Sequence, residues 1–323
     1  MPNGGYPEVR RKVAEFVSSE QRANLKGDHV ILTCGAGGAL NVALKTIINP
    51  GDTVLTSTPF FMEYASYVDN HGGVLETVQG RGNFELDLDA IASCISDKTA
   101  AIIINSPNNP SGHIFPEQSI RSLGELLEKK SRETGRPIYL ISDEPYRKIV
   151  FDGAEVPPIF PFYKQSIIVS SYSKDLSIPG ERIGWLAVNP AIDDVEELMS
   201  GIILCNRILG YVNAPALMQR AIERLQGLSV DIDLYQHKRD ALCGGLAKLG
   251  YDFITPKGTF YLFPRAPGGD DMRFVQDLQK ELVLVVPGSG FGCPGHFRIA
   301  FCVDDATIVR SMKGFERAIK KYT

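Results

Sequence analysis

The chain has 323 residues, of which 44% are hydrophobic and 22% charged, and a formal net charge of −4. This supports one large core or two unequal ones, and because basic residues cluster no further than Arg10-Arg11 or Lys320-Lys321 there is no signature of nucleic-acid or membrane-surface binding. Apolar runs such as AAIII and LVLVV are too short to span a bilayer and no charged-then-apolar leader pattern opens the chain, so a cytoplasmic protein is expected.

The first predicted element is an amphipathic helix in YPEVRRKVAEFVSSEQR. Between about residues 30 and 190, β-branched runs then alternate with helical segments. VILT precedes GALNVALKTII, TVLTS precedes FFMEYASYVDNH, and GVLETV precedes LDLDAIASCI; AAIIIN precedes PEQSIRSLGELLEKKSRE, and IYLISD, SIIVSS and IGWLAV follow. Such alternation predicts an α/β fold, a large mostly parallel sheet flanked by helices on both faces. Beyond VNPAIDDVEELM come the helical patterns APALMQRAIERL and SVDIDLYQHKRDALCGGLAKL, the short strands TFYLF, LVLVV and FRIAF, and a closing helix DATIVRSMKGFERAIKKY. These predict a smaller α+β domain, with which the opening helix is expected to pack. The expected boundaries are 26–210 for the large domain, and 1–25 together with 211–323 for the small one.

The six cysteines, at positions 34, 94, 205, 243, 293 and 302, form no CxxC pair, and the five histidines form no HExxH. Free thiols and no metal site are expected.

In open α/β sheets ligands bind beyond the carboxyl ends of the strands, and the polar features fall there. TCGAGGALNVAL places Gly35, Ala36, Gly37 and Gly38 at a helix start, where free N–H groups and the helix dipole suit a phosphate, although the spacing is neither a P-loop nor GxGxxG. INSPNNPSG is a rigid turn after AAIII, and LISDEPY ends a strand on Asp143 and Glu144 with Tyr146 close behind. VSSYSKDLSIPGERIGW sets Ser171, Ser173, Lys174 and Arg182 where another strand ends. Taken singly, each of these is equally a helix cap or a solvated turn.

Taken in order and spacing, NNPSG, SDEPY, SYSKDLSIPGERIGW, GTFYLF and FRIAF make the chain resemble, over nearly its whole length, the fold-type I pyridoxal-phosphate (PLP) enzymes. Within them it is most similar to the class I/II aminotransferases related to aspartate aminotransferase. The resemblance implies pyridoxal 5′-phosphate as cofactor and Lys174 as the Schiff-base lysine and proton shuttle, a role that suits a partly desolvated amine. It puts Asp143 on the pyridine N–H, Tyr146 and Asn109 on the ring's 3′ oxygen, and Phe61 on the ring face. Ser171, Ser173, Arg182 and the backbone of Ala36 and Gly37 would bind the phosphate. Arg298, with its fork of donors, and Asn109 would take the substrate α-carboxylate.

The implied reaction is a ping-pong exchange between an amino acid and a 2-oxo acid, in a homodimer with shared active sites. A carbon–sulfur lyase or an aminocyclopropane-type synthase would use the same residues. A PLP-binding sensor or an inactive truncated homologue is the non-enzyme alternative, which the intact residue set disfavours. Arg207 is a candidate for a distal substrate carboxylate on the partner subunit, and equally a helix-surface cation. Relatives place a partner-subunit tyrosine just upstream of the helix start seen here as GYPEVR; Tyr6 does not align with it, so the chain is expected to lack several dozen of their N-terminal residues.

Overall fold

The computed structural model describes residues 1–322. Its seven-stranded sheet contains every strand expected between residues 30 and 190: β1 (Val30–Thr33), β2 (Thr53–Thr58), β3 (Val74–Gln79), β4 (Thr99–Asn105), β5 (Tyr139–Asp143), β6 (Ser166–Ser171) and β7 (Gly184–Val188). The order is β1-β7-β6-β5-β4-β2-β3, and only β7 runs against the others. This is the fold-type I PLP-transferase architecture. Its inner strands read as unbroken apolar runs because both faces are covered. Ile102 and Ile104 of β4 enter one core with Leu32, Leu140 and Ile168, whereas Ala101 and Ile103 enter the other with Ile31, Ile141 and Ile167. The period-two alternation of a strand thus feeds two separate layers. Strand β3, at the edge, is mostly exposed and carries Glu76 and Gln79, polar side chains that discourage edge pairing.

Helices α1 (Pro7–Gln21), α4 (Leu88–Cys94), α5 (Glu117–Thr134) and α7 (Ala216–Ile222) cover the first face; α2 (Gly35–Ile47), α3 (Glu63–Asp69) and α6 (Val195–Ile208) cover the second. The position of α1 corrects the sequence expectation. Val9, Val13, Ala14 and Val17 form a helical stripe buried in the core of the large sheet rather than in the small domain. Arg10 pins the helix to β1 by donating from Nε to the Val30 carbonyl at 2.7 Å. An apolar stripe shows that a helix has a buried face but not which surface covers it. Ala214 and Ile222 join the same core, so residues from 211 through α7 also belong with the sheet and not with the small domain.

The second core is built by α8 (Ile232–Lys248), β8 (Tyr261–Leu262), α9 (Asp271–Lys280), β9 (Val286–Pro287), β10 (Phe297–Ala300) and α10 (Asp305–Ile319). Its antiparallel sheet has the order β8-β10-β9. Leu242, Phe274, Phe297 and Phe315 fill it, and Tyr146, Ile149 and Phe151 reach into it from the loop after β5. Helix α9 has no counterpart among the sequence-predicted elements. Its N-terminus is fixed by Asp270, whose Oδ1 accepts from Arg273 N at 2.9 Å. The run LVLVV, expected as a strand, contributes only its last residue to β9. Its first part turns the chain out of α9: Val283 N donates to the Leu278 carbonyl at 3.0 Å, Leu282 has φ 60°, and Leu282 and Leu284 are 91% and 80% exposed.

Among the described residues the cysteines are free, no helix is long and apolar enough to cross a membrane, and no cluster of His, Cys, Asp and Glu could hold a metal ion.

Candidate active site

Strands β1, β2, β4, β5 and β6 all end, and β7 begins, along one edge of the large sheet. A cavity of about 410 Å³ lies there, and it is lined by every residue that the sequence resemblance puts on the cofactor or the substrate α-carboxylate: Ala36, Gly37, Phe61, Asn109, Asp143, Tyr146, Ser171, Ser173, Lys174, Arg182 and Arg298. A larger open hollow of about 640 Å³ lies by the start of β5. Its Arg136 and Lys164 are already paired, with Asp52 and Asp193.

Asp143 closes β5 and is 4% exposed. Its Oδ2 accepts from the Tyr64 hydroxyl at 2.7 Å, while Oδ1 is buried with no partner among the described residues. Burial pushes its carboxyl up to about 7; the Tyr64 hydrogen bond works against this and the neighbouring Glu144 charge adds to it. Asn105, at the end of β4, ties this strand end to the next loop. Its amide donates to the Asp143 carbonyl at 2.7 Å, and its Oδ1 accepts from Asn109 N at 2.6 Å.

Lys174 lies just beyond β6, half-buried, with Nζ 5.5 Å from the Phe260 ring centroid and 5.8 Å from that of Tyr146. It forms no ion pair among the described residues; the adjacent Asp175 is paired with Lys148 at 3.0 Å. Burial lowers the Lys174 ammonium pKa. The Arg182 and Arg298 charges act in the same direction and Cys302 opposes them. The direction of this shift favours the neutral, nucleophilic amine relative to an exposed lysine.

At the opposite end of the cavity, α2 begins without a side-chain cap. Its first N–H groups and dipole therefore face an approaching anion. Arg182 borders them so closely that a Cβ on Gly35 would lie 2.9 Å from its Nη2, and the φ of +73° at Gly35 favours glycine there. Ser171 and Ser173 are buried beside them, with Ser173 N donating to Ser171 Oγ at 3.4 Å.

The small core supplies the remaining wall. Arg298 on β10 donates from Nη1 to Asn109 Oδ1 at 3.0 Å, its guanidinium carbon stands 4.4 Å from the Tyr261 ring centroid, and its buried Nε has no partner. The Tyr146 hydroxyl donates to that of Tyr261 at 3.3 Å.

The family model described as aminotransferase class I and II matches residues 1–314. The chain belongs to this family. A probable aspartate aminotransferase of Methanocaldococcus jannaschii is 30% identical over 305 residues, covering 93% of this chain and 79% of that protein. An amino transferase structure from Eubacterium rectale is 41% identical with a TM-score of 0.98, over 100% of this chain and 82% of that one. The aspartate aminotransferase of Thermotoga maritima is 26% identical with a TM-score of 0.88, over 99% and 84%.

The structure also shows which residues of this aminotransferase the sequence left unassigned. Tyr64 is fully buried and spends its hydroxyl on Asp143, whereas Phe61 meets it edge-on at 5.6 Å and lines the cavity. Glu63, Tyr67, Asn105 and Tyr261 line the cavity too, and Glu63 Oε2 is buried without a partner. FFMEYASY offers several aromatic side chains in a row, and only the helical turn of α3 decides which face inward. Tyr261 lies in the GTFYLF motif, the one signal that could have flagged it. Arg207 is exposed on α6 and does not line the cavity of its own chain.

Proposed function

We propose that the cavity holds pyridoxal 5′-phosphate and that this aminotransferase uses it to pass an amino group from an amino acid to a 2-oxo acid in two half-reactions. The observation that carries the reading is the buried Oδ1 of Asp143, an acceptor for which the fold supplies no donor. A pyridine N–H satisfies it, and the proton-binding tendency that burial gives this carboxyl favours sharing a proton with a ring nitrogen.

When bound, the cofactor supplies an electron sink for the charge left as Cα loses its proton. The rest is the work of the chain. Lys174 would hold the aldehyde end and then, once freed, take the Cα proton and return it, for which a lowered pKa is needed. Arg182, Ser171, Ser173 and the N–H groups of Ala36 and Gly37 would hold the phosphate dianion. Phe61 would pack on the ring, and Tyr146 and the Asn109 amide would reach its 3′ oxygen. Arg298 would orient the substrate by its α-carboxylate, using Nη1 and the unpartnered Nε.

The names of the relatives favour aspartate as one substrate. We also read the protein as a homodimer; Leu204, Ile208, Val212 and Leu217 form an exposed apolar stretch between 44% and 81% accessible, which a second copy would cover.

Borohydride treatment of the cofactor-loaded protein, followed by peptide mass mapping, tests the central assignment. Reduction is expected to leave the cofactor on Lys174 as a secondary amine. A label on any other residue, or none, sinks it. A panel of amino donors with 2-oxoglutarate then reads the specificity.

A further inference from the structure

At position 37 the chain has glycine, so the first turn of α2 can offer the phosphate only backbone at that point. The room is not empty. A Cβ built on Gly37 would lie 2.9 Å from the hydroxyl of Tyr67, on the facing helix α3, with the tyrosine Cζ at 3.6 Å and nothing else within 4 Å. Tyr67 is half-buried, and its ring packs against the core on the second face of the sheet while its side chain lines the cavity. Tyr64 spends its hydroxyl on Asp143; that of Tyr67 makes no hydrogen bond among the described residues. Packing thus fixes the ring and leaves the hydroxyl over.

We propose that the Tyr67 hydroxyl is a ligand for the cofactor phosphate, supplied from within the chain in the space that a side chain at position 37 would fill. The inference rests on the reading of the cavity as a PLP site. The groups facing Tyr67 are consistent with a donor. Burial raises its pKa, Glu63, Asp143 and Tyr211 raise it further, and Arg182 opposes them. The phenol therefore keeps its proton and can donate to a dianion. Arg182 brings the positive charge that attracts the phosphate to the same spot.

A hydrogen bond to a charged group is a large enough contribution to measure, and the phosphate-free analogue pyridoxal isolates it. The apoprotein and its Tyr67→Phe variant are titrated with PLP and with pyridoxal, followed by the absorbance of the bound cofactor. Tyr67→Phe is expected to raise the Kd for PLP by roughly ten- to a hundredfold and to leave that for pyridoxal nearly unchanged. Adding Gly37→Ser to Tyr67→Phe should recover much of the loss, since its hydroxyl enters the space the phenol has left. A purely structural role would weaken both ligands equally and would not be rescued. Equal weakening of both, or of neither, overturns the assignment of Tyr67, and absence of rescue overturns the exchange between positions 37 and 67. A wild-type protein that binds PLP no better than pyridoxal overturns the reading of the cavity itself.

Discussion

At the ends of β5 and β6 the chain places neighbouring ionisable residues on opposite sides: Asp143 and Lys174 in the cavity, Glu144 and Asp175 behind it. Depth of burial does not separate the two sides, since Asp143 is 4% exposed and Glu144 2%. Pairing does. Behind the sheet edge, Glu144 accepts from Ser142 Oγ at 2.7 Å, Arg147 Nη1 at 2.9 Å and Gln21 Nε2 at 3.2 Å. Asp175 is bound by Lys148, and Arg147 also reaches the Val156 carbonyl at 2.8 Å. In the cavity, Asp143 Oδ1, Glu63 Oε2 and Arg298 Nε have no partner, and Lys174 no counter-ion, among the described residues. The fold satisfies buried charge on one side and leaves it unsatisfied on the other, which supports the proposal that the second side takes a ligand.

Mutation of matched residues across this divide breaks or sharpens the comparison. The largest effect is expected for Lys174→Ala, which should cost turnover at least about 10⁴-fold while leaving the melting temperature nearly unchanged. Lys148→Ala should do the reverse, lowering the melting temperature and leaving kcat largely intact. If the two variants behave alike, the division of labour is wrong. Arg147→Ala comes next, because it strands the buried Glu144 carboxylate. A loss of about 3–5 kcal/mol in denaturant unfolding is expected, and a loss below about 1 kcal/mol would mean that this side is not held by its charges.

The smallest effect is a pH dependence of the apoprotein. Burial raises the Asp143 pKa from 3.8 to about 7, so the folded state binds its proton more tightly than the unfolded state. Asp143 therefore costs nothing below about pH 4 and subtracts progressively more stability as pH rises towards 7. Glu20, pushed up to about 7 chiefly by burial, bends the curve the same way, so the difference between wild type and variant is the informative quantity. Asp143→Asn should gain on wild type across that window by on the order of 2–4 kcal/mol. Parallel curves for the two apoproteins would remove the argument from the unpartnered Oδ1. Saturation with cofactor should shrink the gap.

The sheet and the cavity were legible because their signals are local. Strands buried on both faces appear as apolar runs, and each run ends on a motif whose residues the parallel topology brings to one edge. What escaped depends on partners distant in sequence. The stripe of α1 does not say that β1 receives it. LVLVV has strand composition, but its leucines are consumed in leaving α9. Nothing in FFMEYASY says that Tyr64 bonds Asp143 or that Tyr67 lies over Gly37. The unpartnered atoms of Asp143 and Arg298 are properties of an assembled interior, and no spacing of letters records them.

Arg298 sits on the middle strand of the small sheet, paired on both sides, while Lys174 is anchored to the large one. The distance between the group proposed to grip a carboxylate and the group proposed to move a proton is therefore a calliper whose jaws are two separate cores. Among the contacts that hold it are the Phe60 N–H donating to the Phe291 carbonyl at 3.1 Å and Arg298 Nη1 donating to Asn109 Oδ1 at 3.0 Å. A change at Phe60 would alter the span without touching either jaw, whereas Phe291 also lies against Arg298, its ring centroid 4.8 Å from the guanidinium carbon, and catalysis is sensitive to errors of an ångström.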